Sequence, residues 1–341
     1  MRWPRTGGSP QGYDGGAVTT SHLHLLMNAE QYIKSELEKL RTPKNTPKEA
    51  DLEDQIVRLL LSKKFRKYSA NPALIGHVKE SVHYNVSQNQ PINLTFLHGA
   101  YKLWRLEEAP NADWAELFSL MYYTSYVKPI CEIYEPGVWF DFFVDDWIIE
   151  IIDHITPAEI SAYLQSYRAI IDFLKPYQPQ NLRMTITPVS SQFSSRAEFD
   201  AELARRTKTL PLPELSPSAA HMVELNVRQA AGESDDPEWK EKIYRVHNAY
   251  LSMKGDTGYH KNRPDKILVF NQPLPSGTTI SLGTTKSSIA KFWVGIGALQ
   301  PNNDSYKMII LTPSNLESTP YKWQNIDIGL HTANFNKIRV L

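Results

Sequence analysis

Three apolar stretches decide the fold: PINLTFL at 91–97, VWFDFFV at 138–144 and NLRMTIT at 181–187. Their β-branched and aromatic residues are typical of strands. Helical patterns separate the three stretches, and these patterns begin after Asp113 and with Pro157. Strands that alternate with helices in this order are typical of βαβ units, which build a parallel sheet. We therefore predict an α/β protein with a Rossmann-like, mostly parallel sheet and flanking helices.

The sequence on either side of these strands predicts further parts of the chain. Residues 1–20 are rich in Gly, Ser and Thr, which predicts a disordered lead-in. Apolar residues at helical spacing predict an N-terminal helical segment over 21–90, followed by the α/β core over 91–264. Residues 265–341 contain strand-like stretches between Gly, Pro and Asn turns, which predicts a β-rich C-terminal part joined to the core. That part is either an antiparallel extension of the main sheet or a small β subdomain.

The composition argues against several classes of function. Lys+Arg and Asp+Glu both number 37, and a formal net charge of zero argues against broad attraction to nucleic acid or to anionic membranes. No apolar run is long enough to span a bilayer, and the N-terminus lacks the apolar core of a signal peptide. The single cysteine, Cys131, lies in an apolar helical stretch and cannot form an internal disulfide. We therefore expect a cytoplasmic protein with a core thiol.

Sequence signatures of nucleotide and metal sites are absent. The chain contains neither a P-loop nor a strand-linked G-x-G-x-x-G. It also contains no C-x-x-C, H-E-x-x-H or G-x-S-x-G motif. We therefore expect no metal and no cofactor, and a small molecule as the ligand.

The loop after the strand at 91–97 is the first candidate site, because open α/β sheets bind ligands beyond the carboxyl ends of their strands. Lys102 and Arg105 in this loop could hold a phosphate or a carboxylate. The loop also carries the ring side chains of His98, Tyr101 and Trp104. The alternative is a pair of surface cations whose aliphatic stems lie along the protein.

Asp145 and Asp146 form the second candidate site, at the end of the strand at 138–144. Adjacent carboxylates at the end of an apolar strand are costly to bury unless they are paired. They could bind an amine, accept a proton or ligate a divalent ion. The alternative is a helix N-cap followed by a solvated acid.

Two further groups of polar residues have weaker claims to function. Asp113 and Glu116 have the spacing of a capping box, which would explain both residues without a functional role. The segment at 255–266 contains His260 and Arg263 and could close over an anionic substrate. An ordinary connection between a helix and a strand is the alternative.

The stretches PINLTFLHGAYKLWRLEEAPNADWAELFSL and IYEPGVWFDFFVDDWII together resemble the isocyanide synthases of the pyoverdine/dityrosine biosynthesis family. In that family a strand leads to a functional lysine, then to a helix start, a Tyr-x-Pro-Gly turn, a strand and an aspartate. Lys102, Asp113 and Asp145 occupy the matching places here. Val144 and Asp146 depart from the serine and glycine that flank the family's aspartate.

The resemblance implies a Rossmann-like sheet and a metal-independent reaction. Family members condense an amino-acid amine with the carbonyl of a pentulose phosphate and fragment the adduct to an isonitrile. Lys102 and Arg105 would then suit the anionic groups, and Asp145 or Asp146 would suit the amine or the proton transfer.

Two other classes of function stay open at the level of sequence. One is a non-catalytic small-molecule binding protein on the same fold, which the departures at Val144 and Asp146 favour. The other is a nucleic-acid-associated protein that uses the basic run at 63–67, against which the zero net charge counts.

Overall fold

The computed structural model describes residues 28–44, 46, 51–102, 106–212, 237–254, 264–271, 277–283 and 292–341. The helices are α1 (Ala29–Arg41), α2 (Leu52–Leu60), α3 (Pro72–Ser87), α4 (Trp114–Ile133), α5 (Trp147–Ile152), α6 (Pro157–Leu174), α7 (Arg196–Thr209), α8 (Pro237–Lys254) and α9 (Pro313–Ser318). The strands are β1 (Ile92–Gly99), β2 (Val138–Asp145), β3 (Leu182–Pro188), β4 (Lys266–Phe270), β5 (Ile280–Ser281), β6 (Ile296–Asn302), β7 (Ser305–Leu311), β8 (Lys322–Asn325) and β9 (Lys337–Val340).

The main sheet has five strands in the order β3-β2-β1-β4-β5, and all neighbours are parallel. This confirms the α/β fold with a parallel sheet that the first three strands predicted. The chain passes from β1 to β2 and β3 on one side, and then returns to add β4 and β5 on the other side of β1. The crevice between the carboxyl ends of β1 and β4 is therefore the topological switch point, where open α/β sheets bind ligands.

The C-terminal strands divide between two sheets. β4 and β5 extend the main sheet in parallel, whereas the others form a second sheet in the order β7-β6-β9-β8. In the second sheet, β6 begins at Ile296, directly after a 3-10 turn formed by Phe292–Val294. The amide of Gly295 donates to the Phe292 carbonyl at 3.1 Å and closes that turn.

Helix α4 lies between the two sheets and is buried over most of its surface. Its apolar residues surround the axis, as expected of a helix that is covered on several sides. Cys131 is buried in this helix, which confirms the expected core thiol. Capping boxes of the predicted kind begin both α4 and α6: Asp113 with Glu116, and Thr156 with Glu159.

Among the described residues, no helix combines the length and the apolar character needed to cross a membrane.

Because β6 packs closely on α4, we expect one added methyl group at Gly297 to destabilise the protein strongly. A Cβ atom on Gly297 would lie 2.4 Å from the backbone carbonyl carbon of Trp114 and 2.5 Å from the Ala115 nitrogen. We expect Gly297→Ala to lower the free energy of unfolding by about 2–3 kcal/mol, because backbone atoms would have to move. Urea unfolding measures this change.

Gly76→Ala is the matched control. Gly76 lies inside α3, and a Cβ atom there would have no neighbour within 4 Å among the described residues. Alanine has the higher helix propensity, so we expect a gain of about 0.5–1 kcal/mol. Equal effects of the two substitutions would contradict the close packing of β6 on α4.

Candidate functional site

The candidate site lies at the carboxyl edge of the main sheet. Asp145, the last residue of β2, is in register with Gly99, the last residue of β1, and Tyr101 and Lys102 follow Gly99 directly. The structure thus brings together three of the predicted site residues, with Asp146 next to them. The other four predicted residues lie outside the described residues: Trp104, Arg105, His260 and Arg263.

The ammonium group of Lys102 is fully buried and contacts three acceptor groups. Its Nζ atom donates to Asp113 Oδ1 at 2.9 Å and to both carboxylate oxygens of Glu116 at 2.9 Å. A third contact runs to the Phe292 carbonyl at 3.1 Å. An ammonium has three protons, so these groups satisfy it completely. Burial lowers the pKa of Lys102, but Asp113 and Glu116 outweigh burial and the net shift is upward.

The two acids therefore do more than cap α4, and the capping explanation for them is incomplete. The backbone amides of Asp113 and Ala115 are capped as the sequence predicted. Asp113 also accepts the amide of Gly297 on Oδ2 at 3.2 Å, which joins β6 to the start of α4. The sequence pattern showed the caps but gave no sign of the lysine between them.

Glu116 is a buried carboxyl that holds a proton near neutral pH. Burial raises the pKa of Glu116 to about 8, although Lys102 lowers it and offsets part of this effect. A hydrogen bond between the side chains of Glu116 and Asp113 also raises this pKa, because it requires a proton on one of the two carboxyls.

A chain of hydrogen bonds connects the lysine cluster to His98 on β1. The Tyr163 hydroxyl donates to Glu116 Oε1 at 3.1 Å and lies 3.2 Å from His98 Nε2. The imidazole stacks on the rings of Phe292 and Tyr167, with centroid distances of 4.7 and 5.2 Å. Burial lowers the pKa of His98 well below its ordinary value, and the charges of nearby lysines lower it further. The imidazole is therefore neutral.

Asp145 belongs to a second group of interacting side chains at the same edge. Its Oδ1 atom accepts from the Tyr250 hydroxyl and from Lys254 Nζ, both at the end of α8. Lys254 is almost fully buried, whereas a quarter of the Asp145 side chain is exposed. The charges of Lys102 and Lys254 both act on His98 and lower its pKa.

The remaining predicted residues make well-defined contacts. Asp146 accepts the Ser190 amide at 3.0 Å, and burial raises the pKa of Asp146. The Tyr101 hydroxyl forms a hydrogen bond with Asp153, and burial, followed by the charge of Asp153, raises the pKa of Tyr101. Asp146 and Tyr101 are thus held by partners within the protein.

Sequence reasoning missed Tyr163, Tyr250 and Lys254. The spacing of Tyr250 and Lys254 places them on one face of a helix, which was visible in the sequence. No sequence feature indicated that this face would meet Asp145, because α8 lies far along the chain from β2. No sequence feature singled out Tyr163, and only the structure shows its hydroxyl between Glu116 and His98.

This arrangement has the elements of a site for proton transfer. It contains a carboxyl with a pKa near neutrality, a neutral imidazole and two lysine ammonium groups within one edge of a sheet. Such groups can move protons and stabilise negative charge on a reacting oxygen. Within the described part of the chain, no group of three or more His, Cys, Asp or Glu side chains could hold a metal ion.

Comparison with solved structures shows the same fold in the PvcA protein from Pseudomonas aeruginosa. The TM-score is 0.61 at 15% sequence identity, and the match covers 85% of this chain and 100% of the other. This chain has the fold of PvcA. The fold shared with PvcA is consistent with the resemblance seen in the two sequence stretches.

Two further solved structures match with lower scores. One is the tyrosyl-tRNA synthetase complexed with L-tyrosine from Archaeoglobus fulgidus, with a TM-score of 0.31 and 9% identity over 60% of this chain and 53% of that one. The other is a CDPS from Fluoribacter dumoffii, with a TM-score of 0.27 and 10% identity over 56% of this chain and 82% of that one. No family model and no curated protein matches the sequence. The comparison of folds therefore rests on PvcA.

The raised pKa of Glu116 predicts a stability that depends on pH. The unfolded chain has the ordinary value of 4.5, so the folded protein binds this proton more tightly. The resulting stabilisation is complete below that value and is lost as the pH rises through about 8. Glu116→Gln keeps the shape of the protonated acid, so the unfolding midpoint of the variant should fall less between about pH 5 and about pH 9.

Thermal unfolding at a series of pH values measures this difference. Glu159→Gln changes the equivalent capping box at the exposed start of α6 and controls for the cap itself. Parallel pH profiles of the wild type and Glu116→Gln would show that Glu116 does not hold the proton.

Proposed function

We propose that this protein is an isonitrile-synthase-like enzyme that condenses an amino-acid amine with the carbonyl of a sugar phosphate. One observation supports the proposal above the others. Lys102 and Asp145 match the resemblance in separate stretches of sequence, and both lie at the carboxyl edge of a sheet with the PvcA fold. That edge is where parallel α/β sheets bind small molecules.

The chemistry of such a condensation requires the kinds of groups found at this edge. The amine must lose a proton to attack the carbonyl carbon, and the carbonyl oxygen must gain protons before it leaves as water. Both steps need positioned acids and bases. The partly exposed Asp145 and the protonated Glu116 are candidates for these two roles in the proposal.

We assign Lys102 a positioning role rather than direct contact with an anion. Its three acceptors are all protein groups, and breaking them to bind a phosphate would leave Asp113 and Glu116 buried without their cation. Lys254 is the better candidate for an anionic group of the substrate, because its partner Asp145 reaches solvent. In the proposal, Asp146 stays a candidate for proton transfer, and Tyr101, Trp104, Arg105, His260 and Arg263 stay candidates for substrate contact.

A non-catalytic binding protein is the second candidate. The complete internal pairing of Lys102 favours it, because a lysine that only stabilises the fold needs no substrate. The presence of Val144 and Asp146 in place of the family's serine and glycine also favours a non-catalytic protein. Binding of an amino acid without any conversion would support this candidate.

Incubation of the protein with L-amino acids and ribulose 5-phosphate tests the enzymatic proposal. The carbons of the sugar phosphate carry an isotopic label, and mass spectrometry follows the amino acid. We expect a product in which the nitrogen of the amino acid carries one labelled carbon from the sugar phosphate. Asp145→Asn should slow product formation by about 100-fold or more, which is the usual effect of removing a general acid or base.

Asp172→Asn is the matched control, because Asp172 is an exposed aspartate of α6 that pairs with Lys175. We expect it to leave the rate unchanged. Product formation that is equal in Asp145→Asn and the wild type would remove Asp145 from the mechanism, and the absence of any labelled product would refute the enzymatic proposal.

A further inference from the structure

The two oxygens of the Asp145 carboxylate have different surroundings. Oδ1 accepts hydrogen bonds from the Tyr250 hydroxyl and from Lys254 Nζ. Oδ2 has no hydrogen-bond partner among the described residues, and it is not a fully buried atom. A quarter of the Asp145 side chain is exposed, whereas Tyr250 and Lys254 are 3% and 4% exposed. Oδ2 is therefore the oxygen that faces solvent.

Both donors to Oδ1 come from the end of α8. Tyr250 and Lys254 are four residues apart, so their side chains lie on the same face of the helix. Phe143 and Asp145 are two residues apart in β2 and project to one face of the sheet. Lys254 Nζ lies 5.4 Å from the centroid of the Phe143 ring and 5.6 Å from that of the Tyr250 ring. The end of α8 is thus packed on the carboxyl end of β2.

The Tyr250 hydroxyl is a well-held hydrogen-bond donor. Burial raises the pKa of Tyr250 well above its ordinary value, and the charge of Asp145 raises it further, so the hydroxyl keeps its proton. A hydrogen bond from a hydroxyl to a carboxylate is of the strong, charge-assisted kind. The ring of Phe199 meets the Tyr250 ring edge-on, with the centroids 6.4 Å apart. A rigid donor on Oδ1, beside the ammonium of Lys254, fixes the rotation of the carboxylate and hence the direction of Oδ2.

The chemistry of Oδ2 limits what it can bind. An oxygen of an ionised carboxylate accepts hydrogen bonds and cannot donate them. A substrate ammonium offers three donors, whereas the ionised oxygens of a phosphate offer none. Tyr101 lies close enough for the charge of Asp145 to act on its pKa, which burial raises most, but its hydroxyl is bonded to Asp153. The Tyr101 hydroxyl therefore leaves Oδ2 open to an amine.

We propose that Tyr250 is a positioning residue that, together with Lys254, holds Asp145 Oδ1 so that Oδ2 receives the amine of the amino-acid substrate. The ammonium donates a hydrogen bond to Oδ2, and Tyr250 itself does not touch the substrate. This inference rests on the proposed function, which supplies the amino acid. It adds the end of α8 to the site, which lies outside the two stretches of sequence that resemble the family.

A comparison of two ligands isolates the contact between Oδ2 and the amine. The first is the standard L-amino acid that binds most tightly in isothermal titration calorimetry, and the second is its analogue with hydrogen in place of the amine. The ratio of their dissociation constants is the amine preference. We expect the wild type to prefer the amino acid by about tenfold or more, which corresponds to one hydrogen bond between charged groups.

Tyr250→Phe keeps the ring and removes only the hydroxyl. With one donor left, the carboxylate can rotate and Lys254 can bond to either oxygen. We expect the amine preference to fall about threefold or more, and the rate of labelled-product formation to fall about tenfold or more, because misplaced reacting groups lose rate steeply. The affinity for ribulose 5-phosphate should stay the same.

Asp145→Asn provides a second test if Tyr250→Phe does not fold. The single carboxamide oxygen would accept from Tyr250 and Lys254, which would leave the amide nitrogen in the place of Oδ2. That nitrogen donates and cannot accept from an ammonium, so the amine preference should fall to about one. Thermal unfolding shows that each variant is folded.

Tyr126→Phe is the matched control. Tyr126 is a buried tyrosine of α4 whose hydroxyl donates to the Leu60 carbonyl at 2.8 Å. Tyr126→Phe and Tyr250→Phe each remove one buried hydroxyl and its hydrogen bond, so both should lower the melting temperature. Only Tyr250→Phe should change the amine preference. A purely structural role for Tyr250 predicts the wild-type preference in both variants.

The outcomes separate this inference from the proposed function. Equal amine preference in the wild type, Tyr250→Phe and Asp145→Asn would overturn the inference and leave the proposed function standing. Weaker binding of ribulose 5-phosphate with an unchanged amine preference would also overturn it, since Oδ2 would then face the sugar. A wild type that binds no amino acid and forms no labelled product would overturn the proposed function and the inference together.

Discussion

Placing the charge of Lys102 beneath the sheet edge costs several kcal/mol in lost hydration, and the fold supplies three acceptors that compensate for it. Two of them, Asp113 and Glu116, also form the capping box of the central helix α4. The third is the carbonyl of Phe292, in the turn that precedes β6. One buried ammonium thus joins the end of β1, the start of α4 and the approach to the second sheet.

This interaction also determines the chemistry of the sheet edge. Burial raises the pKa of Glu116 to about 8, even though the charge of Lys102 opposes that rise. The Tyr163 hydroxyl forms a hydrogen bond with that carboxyl on one side and with His98 on the other. A feature that stabilises the fold is therefore also connected by hydrogen bonds to a buried imidazole at the carboxyl edge of the sheet.

The sequence predicted the local elements well because each has a local cause. Pro157 predicted the start of α6, where the structure also has a Thr156–Glu159 capping box, and the turn before β2 has Gly137 at a positive φ of 72°. The partners of Lys102 and Asp145 could not be predicted, because the lysine at the end of α8 meets β2 only through the tertiary fold. Periodicity predicts which face of an element is buried, but not what covers it.

The division of the C-terminal strands between two sheets also could not be predicted, because it too depends on the tertiary fold. Strand propensity identified the stretches that form β4, β5, β7 and β9, yet propensity carries no information about which edge accepts each strand. The result matters for the candidate site, because β4 borders β1 on the side away from β2 and forms the topological switch point there. If the C-terminal part had formed only a separate subdomain, no strand would lie beside β1 on that side of the sheet.

The free energy of unfolding of Lys102→Met, compared with that of Lys128→Met by urea titration, tests the role of the buried ammonium most directly. Lys128 is a lysine of α4 with the same small exposure, but its hydrogen bonds go to the carbonyls of Lys39 and Thr42 rather than to carboxylates. We expect Lys102→Met to cost about 3–5 kcal/mol, because it leaves Asp113 and Glu116 buried without a cation. Lys128→Met should cost about 1–3 kcal/mol, the usual cost of carbonyls left unpaired. A cost below about 1 kcal/mol for Lys102→Met would show that the fold does not depend on this lysine.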